Sequence, residues 1–162
     1  MIKIKYLVDK KGEIYVLVCV LMLVIVMTFS VIFTYSSVIT EVKLQKTNTE
    51  IVFDSFVSNN SIIIFNNIKQ GKNATNGIDT SQFNTTLKEF CTLDEYGGKL
   101  YSKDTDGTER YSLTVPQMGF IEDEKLELFV TYTMDVPIRF AGQTVTTAHV
   151  PVKVTSELTG KN

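Results

Sequence analysis

No glycine and no proline occurs between Gly12 and Gly71, and this interval limits what the chain can fold into more than any other feature. Its first part, from Ile14 to Thr40, also lacks charged residues and consists mainly of Val, Leu, Ile, Met and Phe. These 27 residues exceed the roughly 20 that a helix needs to cross the hydrocarbon core of a bilayer. Because glycine and proline most often end helices, the sequence predicts one long helix that starts in a membrane.

Positive charge is concentrated before this apolar segment. Four lysines lie within residues 1–12, whereas only Lys43 and Lys46 follow the segment closely. The excess of positive charge predicts a cytoplasmic N-terminus and an extracytoplasmic C-terminal part. A cleaved signal peptide ending near Thr34–Ser36 is the alternative, although signal peptides have apolar regions of only about 7 to 15 residues.

Beyond the apolar segment, the sequence has the pattern of an amphipathic helix. Apolar residues recur mostly three, four and seven positions apart among polar neighbours; they are Val42, Leu44, Ile51, Val52, Phe53, Phe56 and Val57. We therefore expect a stem helix to about residue 68. The run from Ser61 to Phe65 is also compatible with a strand, because it is short and rich in β-branched residues.

The remaining sequence predicts a short helix followed by strands. Asp79 or Thr80 can cap a helix that buries Phe83, Leu87, Phe90 and Cys91 on one face. Asp106-Gly107 predicts a hairpin turn, residues 125–134 alternate between apolar and polar, and residues 148–154 form a matching returning strand. Pro137 and Pro151 predict a sheet edge or a bend at their positions, since proline has no backbone N–H to donate to a neighbouring strand.

These segments predict an α+β fold in which a long N-terminal transmembrane and amphipathic helix packs with a short helix and a three- to four-stranded antiparallel sheet. The expected regions are a basic cytoplasmic leader (1–12), a transmembrane helix (13–40), an amphipathic stem (41–70) and an extracytoplasmic α+β domain (74–162).

Few residues suggest chemistry. His149 is the single histidine and is interpreted as an exposed strand residue; Asp104, Asp106 and Glu109 are interpreted as a hairpin turn instead of a calcium loop. Cys91 is expected in the core, and no disulfide with Cys19 is expected. A net charge of -2 without a basic cluster argues against nucleic-acid binding. We expect no enzyme activity, no cofactor and no metal site.

The basic leader ending in Lys10-Lys11-Gly12, then Glu13 and a long apolar helix that leads into a small β-containing domain, resembles type IV pilins and pseudopilins. More closely, the chain resembles the tight-adherence (Tad) pseudopilin-like proteins of Gram-positive bacteria, which share the Lys/Arg-Gly-Glu start and a C-terminal pair of Val/Thr-rich strands. The tail from Thr155 to Lys161 also fits that family.

The resemblance implies cleavage by a prepilin peptidase after Gly12, with Glu13 as the new N-terminus, and lateral packing of apolar helices in a filament. It implies a non-enzymatic component of a pilus or secretion apparatus, whose partners are membrane lipid, other pilin-like subunits and assembly platform proteins. Pilins have a glutamate at the fifth mature position, where this chain has Leu17. A membrane-anchored binding module that does not polymerise is therefore the alternative.

Overall fold

The computed structural model describes residues 3–122, 126–140 and 142–157, with side chains described from Ile14 onward except at positions 122, 126 and 157. The elements are α1 (Lys3–Lys69), α2 (Thr80–Cys91), β1 (Asp94–Tyr96), β2 (Lys99–Lys103), β3 (Glu109–Thr114), β4 (Gln117–Glu122), β5 (Leu126–Phe140) and β6 (Gln143–Glu157). The chain divides into two compact units, Met1–Ser37 and Val38–Asn162.

Helix α1 runs through the whole interval that lacks glycine and proline. The prediction of helix to about residue 68 is confirmed, and the run from Ser61 to Phe65 is helical, because α1 continues to Lys69. Gly71 follows with a positive φ of 63°, a conformation that suits glycine and ends helices.

Helix α2 begins where the sequence places its cap. The carboxylate of Asp79 accepts a hydrogen bond from the backbone N–H of Ser81 at 2.9 Å. Phe83 and Leu87 are buried as expected, but Phe90 is 52% exposed and Cys91 is only half-buried. The expectation for Phe90 is wrong. The spacing of the apolar residues predicts which of them share a helix face, but it does not predict how far along the helix the rest of the domain packs against that face.

The β-strands form one curled antiparallel sheet. Strands β3 and β4 lie successively along the same edge of β5, opposite residues 134–135 and 126–131, so that they act as one strand interrupted at Val115-Pro116. Strand β6 pairs with the other edge of β5 from Glu127↔Glu157 to Phe140↔Gln143. The hairpin predicted around Asp106-Gly107 is confirmed as β2–β3.

The predicted fold class is confirmed: a long apolar N-terminal helix and a short helix accompany an antiparallel sheet. In the described residues that sheet has six strands, more than the three to four expected. Strand β1 has only three residues and β4 contains Gly119, so neither has a clear alternating pattern.

The core of the second unit lies between the sheet, α2 and the stem part of α1. It is built mainly from buried aromatic and branched aliphatic side chains; the largest are Phe53, Phe83, Ile64, Leu87, Leu100, Leu113, Leu128 and Met134. The Phe83 ring meets the rings of Phe53 and Phe56 edge-on, each with centroids 5.7 Å apart. The amphipathic stem therefore buries its apolar face in its own domain.

Candidate functional site

The apolar part of α1 is the largest exposed hydrophobic surface in the described chain. From Ile14 to Tyr35, every large apolar side chain is at least 41% exposed. One helix is thus long and apolar enough to span a membrane. Leaving such a surface in water carries a large hydrophobic cost.

The predicted processing site, between Gly12 and Glu13, lies within helix α1. The side chains there are outside the described residues, and the same holds for Leu158 to Lys161 of the predicted C-terminal motif. Cleavage at Gly12 stays a prediction.

A buried polar network connects the stem to the sheet. The Tyr111 hydroxyl donates to Oε1 of Gln45 at 2.8 Å, and the hydroxyls of Thr49 and Tyr132 lie 3.0 Å apart. Gln45 and Thr49 are at most 1% exposed. Burial raises the pKa of Tyr132 to about 12 and also raises the pKa of Tyr111. Because these polar atoms are paired, the network fixes one register of helix against sheet.

An ion pair also connects the stem to the sheet. The Arg110 guanidinium donates to Oε1 of Glu41 at 2.6 Å, and this hydrogen bond raises the pKa of Arg110. The other carboxylate oxygen of Glu41 is buried without a hydrogen-bond partner. The ion pair with Arg110 thus stabilises one oxygen of the Glu41 carboxylate, whereas the burial of the other oxygen is not offset by a hydrogen bond.

The outer face of the sheet carries a cluster of three ionisable side chains. Asp135 on β5 accepts hydrogen bonds from Nζ of Lys99 at 2.8 Å and from Nδ1 of His149 at 2.7 Å. Burial raises the pKa of Asp135, but the hydrogen bonds from Lys99 and His149 outweigh it and lower that pKa overall. The hydrogen bond to Asp135 in turn raises the pKa of Lys99.

His149 itself has the exposed position predicted for it, with 69% of its side chain accessible. Sequence reasoning missed its partner, because Asp135 is 14 residues away and only the β5–β6 register places the two residues opposite each other. The aspartate holds the ring through Nδ1, and most of the side chain stays accessible to solvent. Such a pair can orient a ring for binding.

An open depression of about 460 Å³ adjoins this cluster on the same sheet face. Its polar lining comes from Thr114, Gln117, Thr131, Thr133 and Lys153. The backbone N–H of Thr133 donates to the Thr114 hydroxyl at 2.9 Å, where β3 gives way to β4. The interruption of the strand thus opens the depression and supplies hydroxyl groups around it.

The other sequence candidates lie apart from this cluster. Asp104 and Asp106 form the β2–β3 turn, where the N–H of Gly107 donates to the Asp104 carbonyl and the N–H of Thr108 to the Asp106 carboxylate. The Cys91 thiol accepts a 3.6 Å contact from Gln45 Nε2, and burial raises its pKa. Among the described residues, no three His, Cys, Asp or Glu side chains are grouped to hold a metal ion.

Compared with protein-family models, curated proteins and solved structures, the chain has no match in any of the three.

Proposed function

We propose that this protein is a non-enzymatic, membrane-anchored minor pilin or pseudopilin-like component of a Tad-type pilus or secretion apparatus. The observation that carries the proposal is that the two parts of α1 differ in what surrounds their apolar side chains. Its N-terminal part exposes apolar side chains from Ile14 to Tyr35, and its C-terminal part buries Phe53, Phe56 and Ile64 in an α+β unit. One helix thereby supplies both an anchor and the core of the displayed domain.

Charge supports the orientation that such a component needs. The four lysines before Ile14 favour a cytoplasmic N-terminus, so the α+β unit is displayed outside the cytoplasm. The protein works by packing its apolar helix with like subunits and with platform proteins in the membrane. The resemblance of Lys11-Gly12-Glu13 to a prepilin cleavage site adds processing by a prepilin peptidase.

Mass spectrometry and N-terminal sequencing of the mature protein, purified from its native cells, test the processing step. We expect a chain that starts at Glu13. Gly12→Leu should abolish the cut, because the resemblance implies cleavage directly after a glycine at this position. Val16→Leu serves as a matched control, since it keeps the segment apolar and leaves Gly12 in place.

Other start points contradict the proposal. A wild-type chain starting at Met1 in cells that process their other prepilins would favour a permanently anchored protein. A start near Ser37 would show that the apolar segment is a signal peptide.

A membrane-anchored binding module that does not polymerise is the second candidate. It is favoured by the open depression beside Lys99, Asp135 and His149, whose hydroxyl and amide groups could contact a ligand, and by Leu17 at the position of the pilin glutamate. Detection of the protein in sheared surface filaments would support the pilin-like function, whereas retention in the membrane fraction would support the binding module.

A further inference from the structure

The solvent-facing side of the stem carries a regular stripe of seven residues, which we call the heptad seam. Its members are separated alternately by four and three positions; they are Leu44, Asn48, Ile51, Ser55, Ser58, Ile62 and Phe65. Leu44 and Ile51 are each 52% exposed, and Ile62 is 74% exposed. Three large aliphatic side chains in line on a helix are costly to leave in water.

The heptad seam lies almost opposite the face that α1 buries in its own domain. At 100° per residue, the seam is centred about 160° from the middle of the buried face of the stem, which consists of Gln45, Thr49, Val52, Phe53, Phe56, Val57 and Ile64. The domain therefore uses one side of the stem and leaves the other free for a second partner.

None of the seven seam residues, which are spread over 22 positions from Leu44 to Phe65, is charged. The charged residues of the same segment, Lys46, Glu50 and Asp54, lie outside the seam, and Lys46 and Glu50 form an exposed ion pair at 3.6 Å. A stripe that is uncharged and repeats every 3.5 residues matches another helix with the same repeat, because a left-handed pair keeps such positions in contact along its length.

We infer that the heptad seam is the contact surface for the stem of a second copy of this chain, in a parallel and in-register pair. Two copies held by the same N-terminal segment in one membrane present the same stem residues at the same height, which favours the parallel arrangement. In the heptad, Asn48 takes an a position and Leu44 and Ile51 take d positions. A single asparagine at an a position specifies register and two-stranded pairing in parallel coiled coils.

The pair is expected to be weak on its own. Ser55 and Ser58 occupy the middle of the heptad seam and add little apolar contact. The contact is also only about 32 Å long. A single line of seven side chains over that length buries less than the roughly 1,000 Å² that a stable interface needs. Confinement to one membrane raises the effective concentration of the partner, so pairing occurs between anchored chains and not between detached domains.

Disulfide crosslinking of the full chain in lipid vesicles tests the inference. The parent carries Cys19→Ser and keeps the half-buried Cys91, which sets the baseline. Ser58→Cys is a seam position, and the adjacent exposed Asn59→Cys is its matched control at the same height. A disulfide requires Cα atoms within about 7 Å, which the seam residues of a parallel pair satisfy and the flanking residues do not.

We expect Ser58→Cys to form a covalent dimer about tenfold faster than Asn59→Cys, and Ile51→Lys to reduce that rate to the control level. Asn48→Ile in the Ser58→Cys chain should increase the rate of crosslinking, because an apolar side chain replaces a polar amide within the contact. Circular dichroism confirms that each variant is folded.

Equal rates at Ser58→Cys and Asn59→Cys would show random collision and overturn the inference. Rates at the parent baseline in folded chains would do the same. Pairing in vesicles is independent of filament formation, so a chain that pairs but is absent from sheared filaments contradicts only the pilin-like function.

Discussion

Thr49 and Tyr132 have unequal roles in the hydrogen bond between their hydroxyls. Thr49 donates to the Gln45 carbonyl at 2.8 Å, so Tyr132 is the donor to Thr49. Tyr132→Phe leaves Thr49 satisfied and should lower the free energy of unfolding by about 1 kcal/mol. Thr49→Val leaves a buried Tyr132 hydroxyl without a partner and should cost up to about 3 kcal/mol.

Urea unfolding of the full chain in detergent, followed by circular dichroism, measures both changes. Tyr96→Phe is the control, because Tyr96 is 79% exposed and should leave stability unchanged. Equal costs for the two buried variants would contradict the assigned direction of the hydrogen bond.

Asp135 should make stability depend on pH. Its folded pKa lies below the unfolded value, so the carboxylate stabilises the fold above the unfolded pKa of about 3.9, and this contribution is lost as pH falls through the folded pKa. Wild type should therefore exceed Asp135→Asn in stability at pH 6, and the difference should shrink below about pH 4.

Thermal unfolding midpoints of the two chains across this range measure the difference directly. A constant difference from pH 6 to pH 3 would mean that the carboxylate charge is not responsible. His149→Gln tests how much of this stability difference comes from the contact between Asp135 and His149, since the contact with Lys99 remains in place.

At the scale of elements, the two faces of α1 differ in what they stabilise. Phe53 is fully buried against Phe83, and Phe53→Ala should cost about 3 to 5 kcal/mol through lost contacts and a cavity. Ile51 lies two residues earlier on the exposed face, so Ile51→Ala should change the stability of the detergent-separated chain by about 0.5 kcal/mol or less.

The midpoints of urea unfolding measure both changes. If the slope of the free energy of unfolding against urea concentration is the same in both variants, a shift in the midpoint reports a change in stability alone. A similar cost for Phe53→Ala and Ile51→Ala would contradict the assignment of buried and exposed faces.

For the whole molecule, the proposed orientation places the α+β unit outside the cytoplasm. Thr105 lies in the exposed β2–β3 turn, so Thr105→Cys in a Cys19→Ser background should react with a membrane-impermeant maleimide on intact cells. Ile2→Cys in the same background with Gly12→Leu, which keeps the leader attached, should add labelling only after permeabilisation, because the proposed orientation puts the basic N-terminus in the cytoplasm. The reverse labelling pattern would contradict the orientation.

Elements with local signals could be predicted from the amino-acid sequence. The absence of glycine and proline from 13 to 70 gave a continuous α1, Asp79 gave the start of α2, and Asp106-Gly107 gave a hairpin. The apolar spacing also gave the buried face of the stem, since residues three and four apart share a helix face.

Contacts that depend on the register between distant segments could be found only in the folded structure. It placed Asp135 between Lys99 and His149, joined Gln45 to Tyr111 across 66 positions, and aligned β3 and β4 along one edge of β5. It also decided that Phe90 is exposed and that the heptad seam faces away from the core. Periodicity fixes which residues share a face, whereas the cover over that face depends on how the elements pack together.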